Sequence, residues 1–135
     1  MRVSLVLAAS AALLAAFSPA IAKRLSPDAQ LAKLLEGRVA GKPVHCISNM
    51  SVRNMIIVDK TAIVYDAGTT VYVNHPRMGA EYLDDAWSLL VTFPTGSQLC
   101  SLDRVDVYER GNHIQRGFIG LGEFVPYKKV PVREG

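Results

Sequence analysis

Cys46 and Cys100 are the two cysteines of this 135-residue chain and its clearest candidates for covalent chemistry. They lie 54 positions apart and form no Cys-x-x-Cys motif, the arrangement typical of redox-active pairs. Two thiols in an oxidising compartment are expected to pair. Closing a loop of this length would stabilise the fold by roughly 4 kcal/mol. The residues therefore predict a structural disulfide, with a redox-active or nucleophilic cysteine as the alternative.

Three histidines, His45, His75 and His113, are the other candidate metal ligands. No two of them have the i, i+4 spacing of a helical zinc motif. A zinc site could draw on His45, Cys46 and His75, but only with a reduced Cys46, which would compete with the disulfide. The sequence therefore predicts no metal site and no cofactor.

The carboxylates and serines form no recognisable catalytic motif. Asp84 and Asp85 are adjacent, and neighbouring side chains on a helix point about 100° apart, so a solvated acidic turn is the simpler interpretation. Glu81 and Asp84 lack the loop of an EF-hand, and Ser97 lacks the Gly-x-Ser-x-Gly elbow of serine hydrolases. No catalytic residue is identified, although a small exported hydrolase with an unidentified active site stays the alternative function.

One polar set, Arg53, Tyr72, Asn74 and Arg77, has the composition of a ligand-binding face. Tyr72 and Asn74 alternate along one predicted strand and so share a face, and Arg77 follows closely. Arginines and a tyrosine could hold an anionic or glycan ligand. The alternative is an ordinary solvent-exposed face on which arginine stems cover aromatic rings.

The first 22 residues have the features of a secretory signal peptide. Arg2 precedes an apolar run over 3–17, and Ala20-Ile21-Ala22 matches the small-x-small cleavage pattern. The run is shorter than the roughly 20 residues that span a bilayer, which favours cleavage after Ala22 over a membrane anchor. We therefore expect a periplasmic or secreted protein without a transmembrane helix after cleavage.

The charge balance argues against polyanionic partners. Without Arg2 the 15 basic residues become 14, against 12 acidic ones. This near-neutral balance, together with export, excludes nucleic acid as the expected partner. An envelope protein or a glycan stays open.

The mature chain reads as one β-rich domain after a helix. Ser26 and Pro27 suit the start of a helix over 23–37, which with its linker extends to 40. Short β-branched runs separated by turns then predict antiparallel strands across a domain at 41–127, followed by a basic tail at 128–135. The unbroken apolar run at 63–65 predicts a strand covered on both faces. We therefore expect a mainly β fold, a small antiparallel barrel or curled sheet with one N-terminal helix.

Several segments resemble a family of short exported Gram-negative bacterial proteins of unknown function. They are Gly-Lys-Pro-Val-His-Cys-Ile at 41–47, Ala-Ile-Val-Tyr at 62–65, Tyr-Val-Asn-His-Pro-Arg at 72–77, Gln-Leu-Cys at 98–100 and Gly-Glu-Phe-Val-Pro-Tyr at 122–127. The resemblance implies export and a single domain, and it brings no mechanism. Some members carry further cysteines, whereas this chain has two. The first hypothesis for function is a non-enzymatic binding or structural domain of the envelope.

Overall fold

The computed structural model of this chain describes Pro19 and residues 23–94 and 96–131. Apart from Pro19, the predicted signal peptide lies outside the described residues, as do residues 132–135 of the predicted tail. None of the described helices has the length and apolar character that crossing a membrane requires.

The predicted N-terminal helix is present but shorter than expected. Helix α1 spans Pro27–Leu34, and the Ser26 hydroxyl oxygen accepts a hydrogen bond from the Ala29 amide at 3.3 Å. This is the N-cap that the Ser-Pro pair predicts, because Pro needs no hydrogen-bond acceptor at the first helical position. The helix ends before Gly37, which adopts a φ of 71° that favours glycine.

The described residues form ten strands and two 3₁₀ turns, Asn49–Ser51 and Ala80–Tyr82. The strands are β1 (Arg38–Ala40), β2 (Cys46–Ser48), β3 (Asn54–Val58), β4 (Ala62–Asp66), β5 (Thr70–Asn74), β6 (Ser88–Thr92), β7 (Gln98–Cys100), β8 (Arg104–Glu109), β9 (Gln115–Gly120) and β10 (Phe124–Lys129). The mainly β class with an N-terminal helix is therefore confirmed.

All strand pairs are antiparallel, and they form three sheets. The main sheet has the order β1-β10-β5-β4-β3, the small sheet has the order β6-β8-β9, and the disulfide sheet consists of β2 and β7. Because the described strands divide into separate sheets, the expectation of a closed barrel is not confirmed. Single bridges join Val44, which precedes β2, to Phe124 of β10, and Met78, which lies between β5 and β6, to Gly120 of β9.

Both faces of the main sheet are buried, as the apolar run in β4 predicts. Ile63 and Tyr65 lie on the face of the main sheet that packs against the small and disulfide sheets. We call this side of the main sheet the inner face. Ala62 and Val64 face the opposite side, where Leu31, Leu34 and Leu35 pack over the sheet. Because strand side chains alternate, one five-residue strand supplies both cores. The molecule is therefore layered as helix, main sheet and two smaller sheets.

Segments that the sequence assigns to the linker and the tail pair with each other. β1 lies in the predicted linker, and Lys128 and Lys129 of the predicted tail belong to β10. Val39 lies opposite Lys128, and the Gly41 amide donates to the Pro126 carbonyl at 2.7 Å. Pro126 lacks an amide proton, and a proline argues against a strand when the sequence alone is considered. Its carbonyl nevertheless takes part in the hydrogen-bond ladder.

Candidate functional site

The two cysteines form the predicted disulfide. Cys46 at the start of β2 lies directly opposite Cys100 at the end of β7, with Cα atoms 4.0 Å apart. Ile47 and Leu99, the next pair along these strands, are buried in the inner core. Cys46 and Cys100 are thus part of the framework, and no free cysteine lies among the described residues.

Asn74, one of the four predicted ligand residues, is completely buried. Its Nδ2 donates to the Gly122 carbonyl at 2.7 Å, and the Gly122 amide donates to its Oδ1 at 2.9 Å. The side chain therefore acts as a substitute for a backbone strand partner, holding the end of β5 to the connection between β9 and β10.

The other three predicted residues lie in different surroundings. Tyr72 shares the inner face with Asn74, as predicted, but is half-buried against the core.

The two predicted arginines lie far apart. Arg77 follows β5 and donates from Nε to the Leu121 carbonyl at 2.8 Å and from Nη2 to the Ser101 carbonyl at 3.1 Å. Arg53 precedes β3 and contacts the turn at Gly68. The β3-β4-β5 registers place Arg53 and Arg77 at opposite ends of the main sheet.

A different group of cations gathers at the Arg53 end of the main sheet. We call it the basic end: Arg38, Arg53, Lys128 and Lys129. The two arginines meet at the β4–β5 turn, because Arg38 Nη2 lies 3.4 Å from the Gly68 carbonyl and the Arg53 guanidinium carbon lies 3.1 Å from the position of a Cβ on Gly68. Among the described residues, no ion pair involves any member of this group.

Two shallow clefts share the lysines of the basic end. The first has a volume of about 390 Å³ and lies along β1 and β10, with an apolar floor that includes Val39, Pro126 and Val130. Lys42, Lys128 and Lys129 line it as well. The second, about 400 Å³, is lined by Thr69, Thr70 and the same two lysines of β10. This arrangement suits a ligand with negative charges on an apolar framework.

A serine, a histidine and a glutamate meet beside the disulfide. The Ser101 hydroxyl lies 3.5 Å from His45 Nδ1, and Glu123 Oε1 lies 3.6 Å from the same nitrogen. A hydrolase relay needs the serine on one ring nitrogen and the carboxylate on the other. Here both compete for Nδ1, and the His45 side chain is 77% exposed. The arrangement is therefore a surface polar contact rather than an assembled catalytic relay.

Among the described residues, two titratable groups have shifted pKa values, and neither lines the clefts of the basic end. Burial raises the pKa of the Tyr65 phenol, whose hydroxyl is buried without a hydrogen-bond partner among the described residues. Hydrogen bonds from Asn112 and Arg116 lower the pKa of the Glu109 carboxyl on the surface. Within residues 23–94 and 96–131, no group of three or more His, Cys, Asp or Glu side chains is placed to hold a metal ion.

Sequence reasoning missed the Ser101–His45 contact and the two lysines of β10. The first has a signal in the sequence, because pairing Cys46 with Cys100 in antiparallel strands places residue 45 opposite residue 101. The lysines have only a weak signal, since Pro126 and two exposed lysines resemble a solvated tail more than a central strand.

No family model, no curated protein and no solved structure matches this chain.

Proposed function

We propose that this protein is an exported, non-enzymatic binding domain of the bacterial envelope, and that it binds an extended acidic segment of another envelope protein at the basic end. The observation that carries the proposal is the unpaired positive charge there. Lys128 and Lys129 line both clefts, and Lys42 lines the first. Arg38 and Arg53 contact the adjoining β4–β5 turn. None of these five residues has an ion-pair partner among the described residues.

The apolar floor favours a peptide over a free small anion. Val39 and Val130 are 60% and 54% exposed, and both line the first cleft between the lysines. A segment with alternating acidic and apolar residues would place carboxylates on the lysines and apolar side chains on the valines. Electrostatic complementarity of this kind sets partner choice and association rate.

The edge position of β1 supports the same ligand. The Gly41 amide donates to Pro126 and the Val130 amide donates to the Gly37 carbonyl. Alternation along an antiparallel pair therefore directs the amide and carbonyl of Ala40 away from β10, toward the open edge. A docked extended segment would find main-chain partners there in addition to charge.

Export is the second part of the proposal. The signal-peptide pattern of residues 1–22, the resemblance to exported Gram-negative proteins and the Cys46–Cys100 disulfide all support it. Expression of the full chain in a Gram-negative host, followed by fractionation and N-terminal sequencing, tests it directly. We expect periplasmic protein beginning at Lys23, whereas unprocessed chain confined to the cytosol would overturn the assignment.

Binding is tested with a fluorescent octapeptide that alternates Glu and Val. Lys128→Glu combined with Lys129→Glu should weaken binding by about tenfold or more, and added salt should weaken binding to the wild type. The matched control is Lys23→Glu with Lys33→Glu, which changes the net charge equally on exposed residues away from the clefts. Equal weakening in both double variants, or equal affinity for a Gln-Val octapeptide, would refute a specific acidic site.

A further inference from the structure

The outer edge of β6 is an open hydrogen-bonding edge. β6 is an edge strand of the small sheet, pairs with β8 on one side, and has no strand partner on the other among the described residues. Its sequence, Ser-Leu-Leu-Val-Thr, contains no charge and no proline, the two devices that commonly protect exposed edges. An edge of this kind is a template for another strand.

The register with β8 shows which backbone groups are available. The Arg110 amide donates to the Trp87 carbonyl at 2.9 Å, so residues 87, 89 and 91 direct their backbone groups toward β8. Residues 88, 90 and 92 therefore direct theirs to the open edge. No hydrogen bond from a described residue reaches the amides or carbonyls of Leu90 and Thr92 on that side.

The open edge has defined limits at both ends. At one end Ser88 is already satisfied, because its amide donates to the Asp84 carbonyl at 2.9 Å and its carbonyl accepts from Arg110 Nε at 2.8 Å. At the other end Pro94 has no amide proton to donate. Among the described residues, the backbone donors and acceptors without a partner on this edge are therefore those of Leu90 and Thr92.

We propose that β6 pairs antiparallel with β6 of a second copy of this chain, about a two-fold axis at Val91. In this register Leu90 of one copy lies opposite Thr92 of the other, and the two exchange hydrogen bonds in both directions. Symmetry repeats the exchange on the other side of the axis. Ser88, whose amide and carbonyl already have partners, then lies opposite Pro94, which has no amide proton, so this position leaves no backbone donor without an acceptor. The two small sheets become one continuous sheet.

The side chains on the outer face of the small sheet suit the same register. Val91 meets Val91 of the second copy at a non-hydrogen-bonded position, where Cα atoms approach to about 4.5 Å. Leu89 meets Phe93, which is 72% exposed in the single chain. Apolar cross-strand pairs of this kind stabilise a sheet, and the pairing brings no like charges together along the strand.

The other edges of the two larger sheets have features that oppose the same pairing. On β9, the Gly120 amide donates to the Met78 carbonyl at 3.1 Å, which occupies the end of that edge. On β3, α1 packs beside the strand, and Gln30 Nε2 donates to the Ile57 carbonyl at 3.5 Å. β1 is three residues long and adjoins the basic end, so two copies would bring like charges together.

The size of the contact sets its expected strength. A short edge with three apolar pairs buries less than the roughly 1,200 Å² of a standard stable interface, so the dimer is expected to be weak and to depend on concentration. The proposed dimer uses a surface apart from the basic end. The test of dimerisation is therefore independent of the test of acidic-peptide binding.

The test is sedimentation of protein expressed from the full chain, over a concentration series. We expect the mass to double as the wild-type concentration rises. Val91→Lys and Val91→Glu should each stay monomeric, because each places two like charges opposite one another at the axis. An equimolar mixture of the two variants should dimerise again, which a merely misfolded variant could not do. Phe118→Ser, on the same outer face but on β9, is the matched control and should dimerise as the wild type does.

Two outcomes would overturn the proposal. One is a wild-type protein that stays monomeric at every concentration up to about 1 mM, because its dissociation constant would then be weaker than millimolar. The other is a dimer that Val91→Lys leaves intact or that mixing the Lys and Glu variants fails to restore, since either result places the contact elsewhere. Circular dichroism of each variant checks that the β fold is retained.

Discussion

Asn74 and Gly122 exchange two hydrogen bonds across 48 positions of the sequence, one at 2.7 Å and one at 2.9 Å. The same two segments approach so closely that a Cβ on Gly122 would lie 2.4 Å from the His75 carbonyl oxygen. The Asn74 side chain therefore holds the connection between the small sheet and β10 against the end of β5. The lack of a side chain on Gly122 allows the two segments to approach this closely.

Asn74→Ala should destabilise the fold by about 2–4 kcal/mol, because it leaves the buried amide and carbonyl of Gly122 without partners. Urea unfolding followed by circular dichroism measures the change. Asn49→Ala is the matched control, since Asn49 is exposed and its side chain forms no hydrogen bond with the described residues. Equal stability of the two variants would contradict a structural role for the Asn74 amide.

Gly122→Ala should lower the free energy of unfolding by a similar amount, about 2–4 kcal/mol. The added methyl group would overlap the His75 carbonyl oxygen, which can move only if the backbone moves with it. Gly111→Ala provides the comparison. A Cβ on Gly111 meets nothing within 4 Å, so the free energy of unfolding of that variant should lie within about 1 kcal/mol of the wild-type value. Thermal melts of the pair are sufficient, and a Gly122→Ala melt as high as that of Gly111→Ala would disprove the close approach.

The parts of this fold that the sequence predicts are those governed by local pattern. Ser26 and Pro27 predict where α1 begins, and the apolar run of β4 predicts a strand buried on both sides. The disulfide follows from cysteine count and the expected compartment. Each of these needs only neighbouring residues or a general rule.

The parts that the sequence does not predict depend on long-range pairing. β10 is defined by partners 50 or more positions away, and its Pro126 and lysines resemble a tail. Asn74 looks like a surface residue on an alternating strand until the β9–β10 connection is placed over it. For the same reason the basic end could not be recognised: β1 and β10 bring Arg38 beside Lys129 only in the folded sheet.

The Cys46–Cys100 bond is expected to supply a large share of the stability. Replacing both cysteines with serine should lower the free energy of unfolding by roughly 4 kcal/mol, because the unfolded chain regains the freedom of a 54-residue loop. Thermal unfolding measures the loss. The wild-type protein should also show no free thiol when it is denatured without reductant. Two reactive thiols in that sample would mean that the pair is not joined in the isolated protein.

Ser101→Ala serves as a control for the cysteine experiment, because it alters the neighbouring position without touching the bond. Its side chain makes one long contact with an exposed histidine, so its melting temperature should stay close to that of the wild type. A Ser101→Ala variant as unstable as the double serine variant would show that the region is sensitive to any change, and would weaken the assignment of the effect to the disulfide.

Tyr65→Phe should raise the stability by about 1 kcal/mol at neutral pH, because the buried hydroxyl has no hydrogen-bond partner among the described residues and its removal leaves the packing against Phe124 intact. The stability gain of Tyr65→Phe over the wild type should increase at alkaline pH. Burial raises the pKa of the Tyr65 phenol above its value in the unfolded chain, which is about 10. Above that pH the unfolded state loses a proton that the folded state keeps.

The sign of this difference makes the wild type lose stability relative to Tyr65→Phe as the pH rises, by up to about 1.4 kcal/mol per pH unit above pH 10. Urea titrations of both proteins between about pH 8 and pH 11 measure the gap. It should be constant up to about pH 9 and widen beyond pH 10, since other groups titrate equally in the two proteins. A gap that stays constant across the whole range would mean that the phenol ionises as freely in the folded protein as in the unfolded chain, and therefore that it reaches water.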